Sequence, residues 1–178
     1  ALYARQALAQ RQLPDRLDQL GWIHLCLEAF EDAITQFTKA LTLEPQRIQT
    51  RRHLADALQR IGRSDEALQI LADGLALAPD DSGLLQAQAQ VLIDARRTQE
   101  ARAVCHRLLR LHPDEASSWY LLARVLVQRK RQASAARALA RAQKLADREQ
   151  TDLWQKIGWL ALEMSELRFA KQAVQQVL

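Results

Sequence analysis

Three pentapeptides of one pattern, LTLEP, LALAP and LRLHP, end at Pro45, Pro79 and Pro113, each 34 residues beyond the last. Self-similarity at that period means repeated supersecondary units rather than one irregular core. The same spacing carries the small residues Ala33, Ala67, Ala101 and Ala135. It carries larger positions as well: Phe37, Leu71, Cys105 and Leu139; Leu20, Leu54, Gln88 and Leu122; Leu43, Leu77, Leu111 and Leu145. A further unit follows one residue late, with Trp154, Ile157, Gly158 and Ala170. Ala, Leu, Arg and Gln dominate the chain, and its 178 residues include 5 Gly and 4 Pro. Nearly every segment therefore favours helix by intrinsic propensity, and the expected fold class is all-α.

Within a unit the apolar pattern resolves into two helices. Trp119, Leu122, Ala123 and Leu126 stand at i, i+3, i+4 and i+7, one apolar stripe of an amphipathic helix. The polar turn QRKRQ follows, and Ala135, Leu139 and Ala142 of the next helix face back. Helices joined by so short a turn pack antiparallel. Gly21, Ala33 and Ala40 let the backbones approach while Trp, Leu and Phe fill the flanks. A Pro near the end of a unit stops the second helix, because it has no N–H to continue the ladder. On this pattern Trp119 and Trp154 are expected to be buried structural residues.

A 34-residue helix-turn-helix unit with W..LA..L early, Ala in the second helix and Pro near the end resembles the tetratricopeptide repeat (TPR). The resemblance implies a right-handed α-solenoid of antiparallel helix-turn-helix repeats, about four and a half to five of them, over residues 14–178. Units would start near Pro14, Ile48, Ser82, Ala116 and Thr151, and residues 1–13 would be the second helix of a truncated preceding repeat. His24, Arg51 and Gln88 depart from the larger apolar groups of the family, and Asp147 replaces the fourth Pro. The chain closes on AKQAVQQVL, whose Val174, Val177 and Leu178 have no capping helix after them, and it begins without Met. The expectation is a segment of a longer protein.

No constellation of residues points to catalysis, so the chain is read as no enzyme, with no cofactor and no metal. Cys26 and Cys105 fall in different units, outside any C-x-x-C pair, and Cys105 is expected in the core. His24, His53, His106 and His112 show no H-x-x-x-H spacing. Cys105 and His106 are adjacent on one helix, where side chains point about 100° apart and do not meet. The five glycines form no phosphate loop. No apolar run approaches the roughly 20 residues of a membrane span.

Binding remains, and the resemblance says where to look. In this family the first helices line a concave groove, into which residues beside the packing stripe project. Those positions hold Asp18, Trp22 and Leu25; Arg52, Asp56 and Gln59; Gln86, Gln90 and Ile93; Tyr120, Arg124 and Val127; and Gln155, Trp159 and Leu162. Two readings stand side by side: Trp22 and Trp159 bridge neighbouring helices, or Trp and Tyr anchor a helix or extended peptide of a protein partner. The carboxylate clamp by which some members hold chaperone C-termini is not expected. It needs Asn, which the sequence lacks, and its positions hold Asp18, Trp22, His53, Gly83 and Ala87.

Charge adds a second candidate. Residues 15–45 carry six acids against Arg16 and Lys39, whereas residues 96–148 carry thirteen bases against four acids. Arg107, Arg129, Lys130, Arg131, Arg137 and Arg141 fall at a turn or on the outward side of second helices. They are either a solvated face or a patch for an acidic protein or anionic polymer. Nucleic acid is not expected, because aromatics and bases do not interleave on one face. Twenty Arg against five Lys, with abundant Ala and Leu and no Asn, resembles the products of GC-rich bacterial genomes. The expected setting is a scaffold of a bacterial assembly, envelope or export system, in cytoplasm or periplasm; an alternative is the substrate-recruiting arm of an enzyme such as a glycosyltransferase.

Overall fold

The computed structural model describes the backbone of residues 2–177 and the side chains of residues 13–166 and 168–176. The described residues form ten helices and no strand: α1 (Leu2–Cys26), α2 (Phe30–Leu43), α3 (Ile48–Arg60), α4 (Ser64–Leu77), α5 (Ser82–Asp94), α6 (Thr98–Leu111), α7 (Ala116–Gln128), α8 (Gln132–Leu145), α9 (Thr151–Glu163) and α10 (Leu167–Val177). They fall into two compact units, one ending at Ala87 and the other beginning at Gln88, with the boundary inside α5. In the first unit α1 pairs with α2, α3 with α4, and α2 also packs on α3. In the second, α7 pairs with α8 and α9 with α10, while α6 packs on α7 and α8 on α9. The fold class is thus all-α, built of helix-turn-helix repeats.

One backbone device makes every hairpin. Glu28, Gly62, Arg96, Lys130 and Ser165 recur with the repeat and all have positive φ, between 57° and 81°. Each follows a first helix, and the amide of the next residue reaches back five residues: Ala29 to the His24 carbonyl, Arg63 to Leu58, Arg97 to Leu92, Arg131 to Leu126 and Glu166 to Ala161. That bond, with the amide of the positive-φ residue itself bonded three residues back, closes the helix as a Schellman motif. The left-handed residue reverses the chain, so the second helix returns along the first.

The small residues sit where those helices touch. A Cβ on Gly21 would lie 2.6 Å from Cε1 of Phe37, so the Phe ring occupies the space a side chain would need. Ala33, Ala67, Ala101 and Ala135 are fully buried, and so are Phe37, Leu71, Cys105 and Leu139 one turn further on. Burial of this apolar set supplies most of the stabilisation, roughly 1.5 to 3 kcal/mol for each large side chain.

Another repeated bond ties three of the first helices, α3, α7 and α9, to the loop before them. Trp119 donates its indole N–H to the Pro113 carbonyl at 2.8 Å. Trp154 does the same to the carbonyl of Asp147, also at 2.8 Å. Arg51, the apparent misfit, donates from Nη2 to the Pro45 carbonyl at 2.7 Å. The acceptor is main chain at each, so Asp serves as well as Pro, and any side chain that carries an N–H to the spot serves as donor.

Several expectations need correction. Trp119 is only half-buried, unlike Trp154, although both rings make the same bond to a loop carbonyl, so the stripe position and that bond do not by themselves close the ring off from solvent. Leu20, Leu43 and Leu77 recur with the repeat yet are about half exposed, since periodicity fixes direction and not what lies over it. Helix α1 runs through Pro14 without ending there. The φ that the Pro ring fixes is helical, so the helix can continue at the cost of a missing N–H bond and of crowding between the ring and the carbonyl one turn back. Whether residues 1–13 serve a preceding repeat is a matter of packing, and the side chains of residues 1–12 lie outside the described residues, as do those of Val177 and Leu178.

Candidate functional site

The first helices position the candidate residues, and each unit holds its own set. In the first unit α1 presents Asp18 and Trp22, and α3 presents Arg52, His53 and Asp56. Trp22 is 48% exposed but stacks at a tilt on His53, with ring centroids 5.0 Å apart. His53 also touches Phe37 and lies with Nδ1 3.3 Å from Oδ1 of Asp18. Here the helix-bridging reading describes the geometry: Trp22, His53 and Asp18 join α1 to α3. Arg52 bonds Gln49, and Asp56 faces Arg60 at 3.5 Å, both within α3. Leu25 is buried, which corrects its placement on an open face.

In the second unit the candidates converge. Tyr120 and Arg124 of α7 and Lys156, Trp159, Leu162 and Glu163 of α9 line an open cavity of about 530 Å³. Arg124 is fixed at one wall, donating from Nη1 to Oε1 of Gln90 at 2.6 Å and from Nη2 to Oδ1 of Asp94 at 2.8 Å. Gln90 in turn donates to Asp94. A guanidinium held by two acceptors from α5 cannot swing into the cavity, so it acts as a rigid polar rim. Burial pushes the Tyr120 phenol above its ordinary range, so it stays a neutral donor. Trp159 is 73% exposed and Leu162 about half. Both also line a second, apolar cavity of about 660 Å³ with Gly158, Ala170, Ala173 and Val174. Trp159 therefore stands as a ridge between two hollows.

One groove assignment fails in this unit. Ile93 is fully buried, and Gln128 reaches its carbonyl from α7 at 3.0 Å. Val127 is half-buried and is not part of the lining of these two hollows. Lys156 and Glu163 are not among the expected groove residues, although their spacing of three and four residues from Trp159 puts them on one helical face.

Of the six bases, Arg129 and Arg131 line a cavity of about 290 Å³ together with Arg102, one of the thirteen bases of that stretch, and His106. Lys130 is exposed at the turn, Arg137 donates to Oγ of Ser134 at 3.3 Å, and Arg141 lies 3.9 Å from Asp114. Arg107, half-buried, is not part of that cavity. Burial pushes the Cys105 thiol up to about 12, whereas Cys26 is exposed. Among the described residues no three His, Cys, Asp or Glu side chains are placed to hold a metal ion, and no helix is long and apolar enough to cross a membrane.

Helical hairpins of one length, joined by one turn and presenting apolar and charged side chains from their first helices, define a repeat protein of the interaction-scaffold class. The comparisons agree: family models described as Tetratricopeptide repeat match residues 27–91 and 87–149, and the chain belongs to that family. A thermophilic TPR protein of Thermus thermophilus has a similar structure, with TM-score 0.78 and 20% identity over 93% of this chain and 90% of that one. Pseudomonas aeruginosa pilF matches with TM-score 0.73 and 22% identity over 95% and 77%. The first TPR of Spaghetti, solved with an HSP90 peptide, matches with TM-score 0.61 and 18% identity over 67% and 94%. No curated protein sequence matches the chain.

Proposed function

We propose that this scaffold binds a helical or extended segment of a partner protein on the α7 and α9 face of the second unit. The observation that carries the reading is Trp159, a large aromatic side chain 73% exposed between two hollows and flanked by Tyr120 and Leu162. An aromatic anchor with apolar walls and a charged rim is the arrangement in which a few side chains supply most of a binding energy. Arg124, Lys156 and Glu163 would set the orientation of the bound segment. Peptide capture by the first TPR of Spaghetti supports the mode of binding. It does not extend to chaperone tails, since the clamp positions hold Asp18, Trp22, His53, Gly83 and Ala87. The proposed setting is a bacterial assembly or envelope scaffold, and the Arg-rich composition supports only the bacterial source.

The test uses partners captured on the immobilised protein and then titrated one by one. Trp159→Ala removes an exposed side chain and should leave the thermal melt unchanged. Its affinity for a true partner should fall roughly thirtyfold or more, the loss of an anchor contributing above about 2 kcal/mol. Equal affinity in the folded variant would remove Trp159, and the reading with it.

A further inference from the structure

The repeat register exposes a missing acid. In two hairpins the residue before the second helix is Arg and the residue three places on is Glu, and they close a forked ion pair. Arg63 grips Glu66, with Nε to Oε1 at 2.6 Å, and Arg97 grips Glu100, with both contacts at 2.7 Å. One period further the Arg is kept as Arg131, but Ser134 stands where the Glu would be. The Arg131 guanidinium has no hydrogen bond or ion pair among the described residues. The surroundings change in the same repeat. Arg102, His106 and Arg129 stand where the preceding repeat has Leu68, Ala72 and Ala95.

These substitutions meet in one place. Arg102, His106, Arg129, Arg131 and Ser134 line the cavity of about 290 Å³, with Leu122 and Leu126 as its apolar wall, and the lining includes no Asp or Glu. Arg102 donates from Nε to Nε2 of His106 at 3.2 Å, and Arg129 is steadied by Gln99 at 2.8 Å. Three guanidinium groups thus surround a hollow with no carboxylate of its own, where the two preceding repeats supply one from within. Like charges held together with no counter-charge repel one another, and an incoming anion relieves that repulsion.

We propose that this hollow is a second interaction site, which receives a Glu or Asp carboxylate from an acidic segment of a partner protein, with an adjacent apolar side chain against Leu122 and Leu126. The carboxylate would take the place that Glu66 and Glu100 occupy in their own hairpins and accept the fork of Arg131. Of the six bases singled out in the sequence, Arg129 and Arg131 belong to the site. The site stands apart from Trp159 and does not depend on the reading given above for that face.

The experiment uses a fluorescein-labelled peptide of repeated Leu-Glu-Glu, its Gln counterpart and a phosphoserine counterpart, followed by anisotropy on the whole chain. The Glu peptide should bind saturably and weaken with added salt, and the Gln peptide should not bind. Ser134→Glu is the decisive variant, because it restores the internal pair and fills the hollow. It should keep or raise the melting temperature while weakening the Glu peptide about tenfold or more, and Arg131→Gln should weaken it similarly. Trp159→Ala should leave the affinity unchanged. Undiminished binding to folded Ser134→Glu, no preference for Glu over Gln, or no saturable binding would overturn the proposal. Binding of the phosphoserine peptide alone would overturn the carboxylate assignment in favour of a dianion site.

Discussion

Replacing Lys130 by Gly should stabilise the protein, although it removes a side chain and adds none. Lys130 sits at φ 57°, in the left-handed region, with its side chain exposed. An L-residue there costs about 1 to 2 kcal/mol, from the crowding of its Cβ against the following carbonyl. Gly escapes that cost but loses more backbone freedom on folding, which returns about 0.5 to 1 kcal/mol. The net gain is therefore about 0.5 to 1 kcal/mol. The chain contains its own control, since Gly62 fills the matching position at φ 81° and a Cβ built on it meets nothing within 4 Å. Gly62→Ala should cost about as much as Lys130→Gly gains, purely through the backbone. Glu28, Arg96 and Ser165 are equivalent and exposed. The sites lie in separate turns, so the four Gly variants should add, to about 2 to 4 kcal/mol. Urea unfolding followed by far-ultraviolet circular dichroism measures each change. A destabilised Lys130→Gly together with a neutral Gly62→Ala would refute the reasoning.

Three further outcomes follow from particular contacts. Trp154→Ala should cost about 3 to 5 kcal/mol, since the residue is 3% exposed and leaves both a cavity and an unpaired Asp147 carbonyl; half-buried Trp119→Ala should cost less, and equal urea midpoints would contradict this. Cys26 should react at once with a chromogenic thiol reagent at neutral pH, whereas Cys105, its thiol buried and pushed up to about 12, should react only as fast as the protein opens; two equally fast thiols would be the contrary result. Hydrogen bonds from Arg63 and Arg97 hold the Glu66 and Glu100 carboxyls below their ordinary range. A depressed folded pKa adds stability above the unfolded value, lost as pH falls through the folded one. The double Gln variant should thus be less stable than the parent at neutral pH and converge with it in acid, and an unchanged gap across that range would contradict the pairing.

The sequence by itself determined the hairpins and their core. Ala33, Ala67, Ala101 and Ala135, and Phe37, Leu71, Cys105 and Leu139, were legible as packing positions because helical spacing fixes the direction in which a side chain leaves its helix. All eight are fully buried. The turns were legible as short polar connections, but not as left-handed ones, since Glu28, Arg96, Lys130 and Ser165 are poor signals for positive φ. Arg51 looked like a defect because its role depends on a distant carbonyl rather than on its neighbours in the helix. The site shows the same limit more sharply. Leu25, Ile93, Val127 and Leu162 occupy one repeat position, yet the first two are buried, the third half-buried and the last open. Likewise Trp22 stacks on His53, Arg124 is tied to Gln90 and Asp94, and the equivalent Trp159 stands free between two hollows. Direction is a property of one helix and can be counted along the chain. Exposure is a property of what the neighbouring helices lay across that direction, and the tertiary structure alone decided it.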